Sequence, residues 1–183
     1  MRHRLHGRRI GVWGLFLAVL LVTACGGQAA QEMDDPNIQD PDIQVSDEAA
    51  YPVTVTDATG EQLVFERAPE RIASLSPAET EILYALGLGD RVVAVSDFCN
   101  YPEEAQSKPK LGGITAPNVE AVLAAEADLV IGGISLDPEP IDHMRELGIV
   151  LLKTEPKDVE DVLANILTIG RVTDRMEAAE QLV

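Results

Sequence analysis

Side chains that could perform covalent chemistry are few in this chain, and their spacing does not build a catalytic centre. Ser74 and Ser76 are candidate nucleophiles, but both lack the flanking glycines of a hydrolase nucleophile elbow. Glu79 and Glu81 lie two residues apart in a predicted helix, so they do not share a face and do not form an acid/base pair. The sequence therefore predicts a protein without catalytic residues.

The sequence also lacks the motifs that are typical of metal and cofactor sites. Beyond residue 24 the chain holds one histidine, His143, which is expected on the surface of a helix. A zinc site built on several histidines is therefore not predicted. The chain also carries neither a P-loop nor a complete dinucleotide-binding glycine pattern, so no cofactor is expected.

Binding chemistry is concentrated in the loop 98–102, which reads FCNYP. The chain has only three Phe and three Tyr, and Phe98 and Tyr101 both lie in this loop, directly after a predicted strand. Either the two rings cover the edge of a sheet, or they are presented to a ligand. Glycine pairs occur at 112–113 and 132–133, and two explanations are open for them. Either turn geometry requires glycine there, or the absence of side chains lets a flat ligand approach the backbone.

The elements that position this loop form one β-α-β unit. Residues 71–75 are β-branched and apolar, as in a strand. Ser76 and Pro77 then predict the start of a helix over 78–86 that ends at Gly87. Ile82, Ala85 and Leu86 are expected to form the apolar face of this helix. A second strand follows at 91–95. Open α/β sheets bind ligands at the carboxyl ends of such strands, which is where the aromatic loop lies.

The remaining folded part continues the alternation of strands and helices. A hairpin is predicted at 53–55 and 62–65, and further strands at 128–131 and 149–152. A helix over 118–125 is capped by Asn118, with Val119, Val122 and Leu123 expected to face inward. Thr173 is expected to cap a last helix that is still running at the end of the sequence. This order predicts an α/β fold with a mostly parallel, helix-covered sheet over residues 51–183.

Residues 1–24 have the pattern of an export signal. Four arginines and no acid precede an apolar segment that is too short to span a bilayer comfortably. The segment ends in LVTAC at 21–25, which resembles a bacterial lipobox, with cleavage before Cys25 and lipid on its thiol. The alternative is an ordinary signal peptide that is followed by a chance cysteine.

Residues 25–50 are predicted to be a disordered acidic tether behind the lipid-anchored cysteine. Positions 26–50 carry seven acids, two prolines and no Lys or Arg. Without residues 1–24 the chain keeps 10 basic residues against 31 acidic ones, a net charge of −21. A protein of this charge is not expected to bind nucleic acid.

Five motifs in the folded part resemble class III substrate-binding proteins, the receptors of ABC importers for vitamin B12, haem and ferric siderophores. They cover roughly residues 70–183 in the family's order and spacing: RIASLSPAETE at 71–81, VSDFCNYP at 95–102, KLGG at 110–113, NVE at 118–120 and ADLVI at 127–131. The resemblance implies two α/β lobes that are joined by a long helix, with the ligand between them. This chain would hold the N-terminal lobe and the start of the interlobe helix, and the C-terminal lobe would be missing.

The resemblance also implies roles for individual residues. It places five residues at the ligand, namely Ser76, Pro77, Phe98, Ile114 and Gly133. The loop resembles that of cobalamin-binding members most, although Ile114 and Gly133 match positions where such receptors can carry tryptophan. None of the five is charged, which disfavours a strongly anionic ligand unless the other lobe supplies arginines.

The resulting hypothesis is a membrane-anchored, extracytoplasmic lipoprotein that binds a cobalamin-like corrinoid and delivers it to an ABC permease. A ferric siderophore or haem receptor of the same family is the first alternative, and an exported α/β enzyme is an alternative from another class. The resemblance assigns Glu120 to docking, because a glutamate at this place pairs with arginines of the permease. Helix stabilisation alone would also explain an acid there.

Overall fold

Strands and helices alternate along the described part of the chain. The computed structural model describes residues 51–183. The strands are β1 Val53–Thr56, β2 Gln62–Phe65, β3 Ile72–Ser74, β4 Val92–Val95, β5 Leu129–Gly132 and β6 Leu151–Lys153. The helices are α1 Pro77–Ala85, α2 Glu103–Gln106, α3 Val119–Ala124, α4 Pro138–Glu146, α5 Val159–Thr173 and α6 Met176–Leu182, with a short 3₁₀ turn at Gly89–Arg91.

A parallel four-stranded sheet forms the centre, in the order β4-β3-β5-β6. The chain passes from β3 to β4 on one side and then returns to place β5 on the other side of β3. The loops after β3 and β5 therefore diverge, which is the topological switch point where such sheets bind ligands. The predicted hairpin is also present, with β1 antiparallel to β2.

The sheet is covered by helices on both faces. Ile72 of β3 packs with one apolar cluster, which includes side chains of the hairpin, α1, α5 and α6. Its neighbour Ala73 packs with a second cluster, which includes side chains of α3 and α4. Successive residues of a strand point to opposite faces, so this alternation builds two cores on one sheet. The predicted α/β fold with a mostly parallel, helix-covered sheet is confirmed.

Three predictions about helix faces and ends were wrong in detail. Leu123 of α3 is 51% exposed, while Val119 and Val122 are buried, because α3 buries a narrower stripe than its apolar residues suggest. Ala85 of α1 is exposed, and polar residues take buried positions beside Leu83. Thr173 belongs to α5, where its hydroxyl donates to the Ile169 carbonyl, so it does not cap the last helix.

The junction between α5 and α6 has a steric cause. Asp174 adopts a left-handed backbone conformation, with φ of 60°, which ends α5. The two helices then approach so closely that a Cβ at Gly170 would lie 2.4 Å from the Ala179 Cβ.

Among residues 51–183, no helix combines the length and apolar character needed to cross a membrane.

The turn of the hairpin is tied to the sheet through Asp57, a buried carboxylate. Its Oδ1 atom accepts hydrogen bonds from the amide and hydroxyl of Thr59 and from the amide of Glu61, at 2.7–3.0 Å. Its Oδ2 atom accepts from Arg145 Nη2 at 2.6 Å and from the Lys153 amide at 3.3 Å. The Ala58 amide donates to the Lys153 carbonyl at 3.0 Å. These bonds satisfy backbone groups of β6, which lies at the edge of the sheet.

Candidate functional site

The loops that follow the parallel strands meet at one edge of the sheet. Because β3, β4, β5 and β6 all run in the same direction, their carboxyl ends lie side by side. This edge carries Ser76 after β3, Phe98 after β4, Gly133 after β5 and Thr154 after β6. Three of the residues predicted at the ligand, namely Ser76, Phe98 and Gly133, are therefore brought to one edge.

The aromatic loop after β4 presents its rings to solvent. Phe98 is 59% exposed and Tyr101 is 65% exposed, so neither ring covers the sheet. Cys99 lies between the two aromatic residues in sequence and is buried. Its Sγ atom accepts a hydrogen bond from Thr80 Oγ1 at 3.1 Å. Ser96 Oγ also lies 3.1 Å from Cys99 Sγ. The buried thiol thus anchors the loop while both rings stay free to contact another molecule.

A second connection positions the segment that carries Ile114. The Asp97 amide donates to the Gly112 carbonyl at 2.9 Å, and the Gly112 amide donates to Asp97 Oδ1 at 3.3 Å. Gly112 has a φ of 87°, a conformation that favours glycine, so turn geometry explains this residue. Ile114 follows the turn and is partly exposed. Pro77, in the first turn of α1, is partly exposed as well.

Close packing, rather than an open backbone, explains the glycine at position 133. A Cβ at Gly133 would lie 2.6 Å from Ser76 Oγ and 2.8 Å from Glu79 Oε2. The side chains of Ser76 and Glu79 therefore occupy the space that a Cβ at position 133 would need. Ser76 and Gly133 come into contact across the switch point, although 57 positions separate them in the chain.

A buried polar cluster next to this contact was not predicted from the sequence. Glu79 is only 2% exposed, and its Oε1 atom accepts a hydrogen bond from Thr154 Oγ1 at 2.6 Å. Lys153 is also buried, and its Nζ donates to the carbonyls of Gly133 at 2.8 Å and Thr154 at 3.0 Å. One sequence signal could have shown that Glu79 is buried. Glu79 precedes Leu83 by one helical turn, so the two side chains lie on the same face of α1, and Leu83 is buried.

The charge of Lys153 is affected by this environment. Burial lowers the pKa of the Lys153 amine below its ordinary value, and the nearby carboxylates of Glu155, Glu79 and Asp57 oppose the shift only in part. Glu155 lies 3.9 Å from Nζ and is much more exposed than the lysine. Lys153 therefore directs its protons to carbonyls of the β5 and β6 loops and joins the two loops at the edge.

The other predicted sites lie apart from these loops. Glu120 is exposed in the first turn of α3, where Asn118 caps the helix by accepting from the Ala121 amide at 3.0 Å. His143 is exposed on α4, as predicted. Within residues 51–183, no group of three or more His, Cys, Asp and Glu side chains could hold a metal ion. Cys25 lies outside the described residues.

Comparison with known proteins identifies the fold family. The model of the periplasmic binding protein family matches residues 72–183, more than half of the chain. The chain belongs to the periplasmic binding protein family. This assignment confirms the resemblance seen in the motifs. Because the family is one of binding proteins, it also confirms the prediction of a binding protein rather than an enzyme.

Several members of the family are similar to this chain. The uncharacterized ABC transporter substrate-binding lipoprotein YvrC of Bacillus subtilis (strain 168) is 34% identical, with 96% of this chain and 55% of YvrC covered. The periplasmic vitamin B12-binding protein BtuF of Vibrio cholerae is 32% identical, with a TM-score of 0.58 over 62% of this chain and 45% of BtuF. The periplasmic haem-binding protein RhuT of Roseiflexus sp. RS-1 is 31% identical, with a TM-score of 0.58 over 62% of this chain and 44% of RhuT. The chain thus spans about half the length of the relatives it matches.

Proposed function

We propose that this chain is the N-terminal lobe of a substrate-binding lipoprotein, which captures a cobalamin-like corrinoid and delivers it to an ABC permease. The observation that carries the proposal is the pair of exposed rings, Phe98 and Tyr101, beside the switch point of the sheet. Aromatic faces give a large, rigid contact area to a flat ligand. Ligand sites combine such apolar contacts with a few polar groups, which the edge around Ser76 supplies.

The charge of the edge favours a ligand with little net charge. The residues proposed to contact the ligand, namely Ser76, Pro77, Phe98, Ile114 and Gly133, carry no formal charge. Lys153 is the nearest described cation in the cluster, but its protons are directed to carbonyls of the protein. A strongly anionic ligand would therefore need donors from the second lobe.

Haem or a ferric siderophore is the second candidate ligand. The vitamin B12-binding protein BtuF and the haem-binding protein RhuT are similarly close to this chain in sequence and in fold. Ile114 and Gly133 also differ from the tryptophans that cobalamin receptors can carry at these positions. Both facts keep the ferric ligands as the alternative.

Direct titration separates the two candidates. Cyanocobalamin, haemin and a ferric hydroxamate siderophore are titrated into the two-lobe receptor under identical conditions. The proposal expects cyanocobalamin to bind most tightly. Tighter binding of haemin or the siderophore would favour the second candidate, and absence of binding by all three would overturn the proposed class of ligand.

The proposed location and partners follow from the same reading. Residues 1–24 are proposed as the lipoprotein signal peptide, 25–50 as the anchor cysteine and acidic tether, and 51–183 as the lobe with the start of the interlobe helix. The protein would then work on the outer side of the cell membrane, held by lipid, with permease subunits as its partners. The net charge, −17 for the full sequence and −21 without residues 1–24, makes nucleic acid an unsuitable partner.

Lipid attachment at Cys25 leads to the first testable prediction. The wild-type protein should partition into detergent and show a mass that includes acyl chains, because the acyl chains bury apolar surface in a membrane or a micelle. Without them, an acidic protein would be repelled by anionic lipids. Cys25→Ser should leave the protein unprocessed or release it from the membrane. Phase partitioning and mass spectrometry check both expectations, and an unmodified wild-type amino terminus in the medium would show that Cys25 is not lipidated.

Glu120 leads to the second prediction, which concerns the permease. Its exposed carboxylate at the start of α3 can form a bidentate contact with an arginine, which fixes orientation as well as adding attraction. Glu120→Ala should therefore weaken binding to the permease by about 10-fold or more and reduce its salt dependence, while ligand affinity stays unchanged.

Surface plasmon resonance against the reconstituted permease measures this effect at two ionic strengths. Glu139→Ala is the matched control, since Glu139 is also an exposed acid in the first turn of a helix. Normal permease binding by the Glu120 variant would mean that the residue only stabilises α3. Loss of ligand affinity instead would place Glu120 at the pocket.

A further inference from the structure

Ile134, an exposed residue in the turn after β5, is not among the ligand contacts that the sequence predicted. Residues 133–136 form this turn, in which the Leu136 amide donates to the Gly133 carbonyl at 3.2 Å. Ile134 lies at the tip of the turn and is 59% exposed. Turn positions favour Pro, Gly, Asp, Asn and Ser, because these residues fit the backbone angles or bond to the backbone locally. A branched apolar side chain has neither property, so the local structure of the turn does not account for it.

The turn that carries Ile134 is held at both of its ends. Lys153 is buried, and its Nζ donates to the Gly133 carbonyl at 2.8 Å, so a side chain of β6 holds the first residue of the turn. Leu136, the last residue, is 4% exposed and packs in the core cluster that includes side chains of α3 and α4. A side chain that is presented by an ordered backbone loses less entropy on binding. The exposed isoleucine is therefore prepared for contact with another molecule.

Hydrogen bonds join this turn to the two loops that carry the other apolar candidates. The Asp137 amide donates to the Thr115 carbonyl at 3.1 Å, so the turn is bonded to the segment that carries Ile114. That segment is bonded to the aromatic loop of Phe98 through the two hydrogen bonds described above. Three connected loops thus carry apolar side chains at the ligand edge, and we call Phe98, Ile114 and Ile134 the apolar rim.

The spacing of the strands sets the width of this apolar rim. The strands β4 and β5 are the two neighbours of β3, so the loops of Phe98 and Ile134 begin about 10 Å apart, at roughly 4.8 Å per strand. A corrin or porphyrin ring can bridge this distance. Gly133 is buried and has no side chain, so Ile134 is the residue through which the β5 turn can present a side chain to such a ring.

We propose that Ile134 is a ligand-contact and specificity-determining residue, which together with Phe98 and Ile114 contacts the face of a tetrapyrrole-type macrocycle, either a corrin or a porphyrin. This inference rests on the proposed function, because it assumes that the ligand binds at this edge. It deepens that function by assigning the side-chain contact of the β5 turn to Ile134 and by restricting the ligand to a flat ring. A ferric hydroxamate siderophore surrounds its iron with polar groups and presents no such ring to the apolar rim.

Truncation of Ile134 in the two-lobe receptor tests this assignment. Ile134→Ala removes three carbon atoms of apolar contact. Val64→Ala is the matched control, since Val64 is also branched and 56% exposed but lies on β2 of the hairpin. Cyanocobalamin, haemin and a ferric hydroxamate siderophore are the probes for calorimetric titration. Chemical denaturation of the same proteins shows whether a substitution acts through the stability of the fold.

The expected result is a loss of affinity without a loss of stability. Ile134→Ala should weaken the binding of whichever macrocycle the wild-type receptor binds more tightly, cyanocobalamin or haemin, by about 5- to 50-fold. Ile134→Asp should weaken it further, because its carboxylate would lose hydration against the ring without gaining a partner. Both variants should keep a denaturation midpoint close to that of the wild type, since the side chain is exposed at the tip of a turn. Val64→Ala should leave the affinity unchanged.

Several outcomes decide the inference. Unchanged macrocycle affinity in Ile134→Ala would overturn it, and so would a loss of affinity that is matched by a loss of stability. Binding of haemin but not cyanocobalamin, weakened by Ile134→Ala, would refute the corrinoid proposal and support the apolar rim. Binding of the siderophore alone would overturn the rim while the receptor class stands. If the wild-type receptor binds none of the three probes, the proposed function fails and this inference fails with it.

Discussion

Residues 25–183, the proposed mature chain, should bind cyanocobalamin at least about 100-fold more weakly than a receptor that carries a second lobe. Ligand sites in proteins usually bury most of the ligand surface. The edge described above offers one contact surface, formed by the loops after β3, β4 and β5, and this surface can cover one face of a flat ligand. The uncovered face stays in water and contributes nothing to affinity.

Calorimetric titration of both proteins with the same ligand measures the difference. A fusion in which the second lobe of a relative continues the chain after α6 supplies the two-lobe receptor for this comparison. Phe98→Ala should lower the affinity of the two-lobe protein, since the exposed ring is part of the proposed contact surface. Equal and tight binding by residues 25–183 alone would show that the two-lobe interpretation is wrong.

The second large effect is expected at Asp57, where Asp57→Ala should reduce the free energy of unfolding by about 3–5 kcal/mol. The Asp57 side chain is fully buried and the Arg145 side chain is 24% exposed. Removing the carboxylate would leave the backbone amides of Thr59, Glu61 and Lys153 without this acceptor. Arg145 Nη2 would lose its charged partner and keep only the Thr59 hydroxyl as an acceptor. The largest cost is expected at the buried Lys153 amide and at Arg145, because a buried donor without its acceptor costs more than the net value of the bond.

The same residue predicts how stability depends on pH. Burial raises the pKa of the Asp57 carboxyl, but hydrogen bonds from Thr59, Glu61 and Lys153 outweigh it, so the pKa lies below its ordinary value of 3.8. Because the pKa of Asp57 is lower in the folded state, the ionised carboxylate stabilises the fold fully at pH values above the unfolded-state pKa. This stabilisation is lost as the pH falls through the folded-state pKa. The effect of Asp57→Ala should therefore be full near neutral pH and shrink in acid below about pH 4.

Chemical denaturation of the wild type and the variant at several pH values checks both expectations. Asp142→Ala is the matched control, since Asp142 is an exposed aspartate on α4. The control should shift stability by less than about 0.5 kcal/mol. A similarly small shift for Asp57→Ala would mean that the hairpin turn contributes little to the stability of the lobe.

Local sequence signals predicted the elements of the fold because the causes of those elements are themselves local. Asn118 caps α3, and Gly87 follows the end of α1, as the cap and stop signals indicated. The hairpin and the strands of the sheet appear where alternating or continuous apolar runs predicted them. The predictions were wrong at Leu123 and Ala85 because apolar spacing alone does not show how wide a face each helix buries. The prediction was wrong at Thr173 because local sequence did not show that α5 continues to this residue.

The tertiary structure alone decided which distant residues meet. The sequence by itself determined the class of protein, since the five motifs identify the binding family that the comparison confirmed. It could not show that Glu79 turns inward to Thr154, because the partner lies 75 residues away and reaches it only through the parallel pairing of β3, β5 and β6. It also could not explain Gly133, whose missing side chain is required by Ser76 on the neighbouring loop. Strand order is a long-range property, so the contacts of Glu79 with Thr154 and of Ser76 with Gly133 became visible only once the sheet had been assembled.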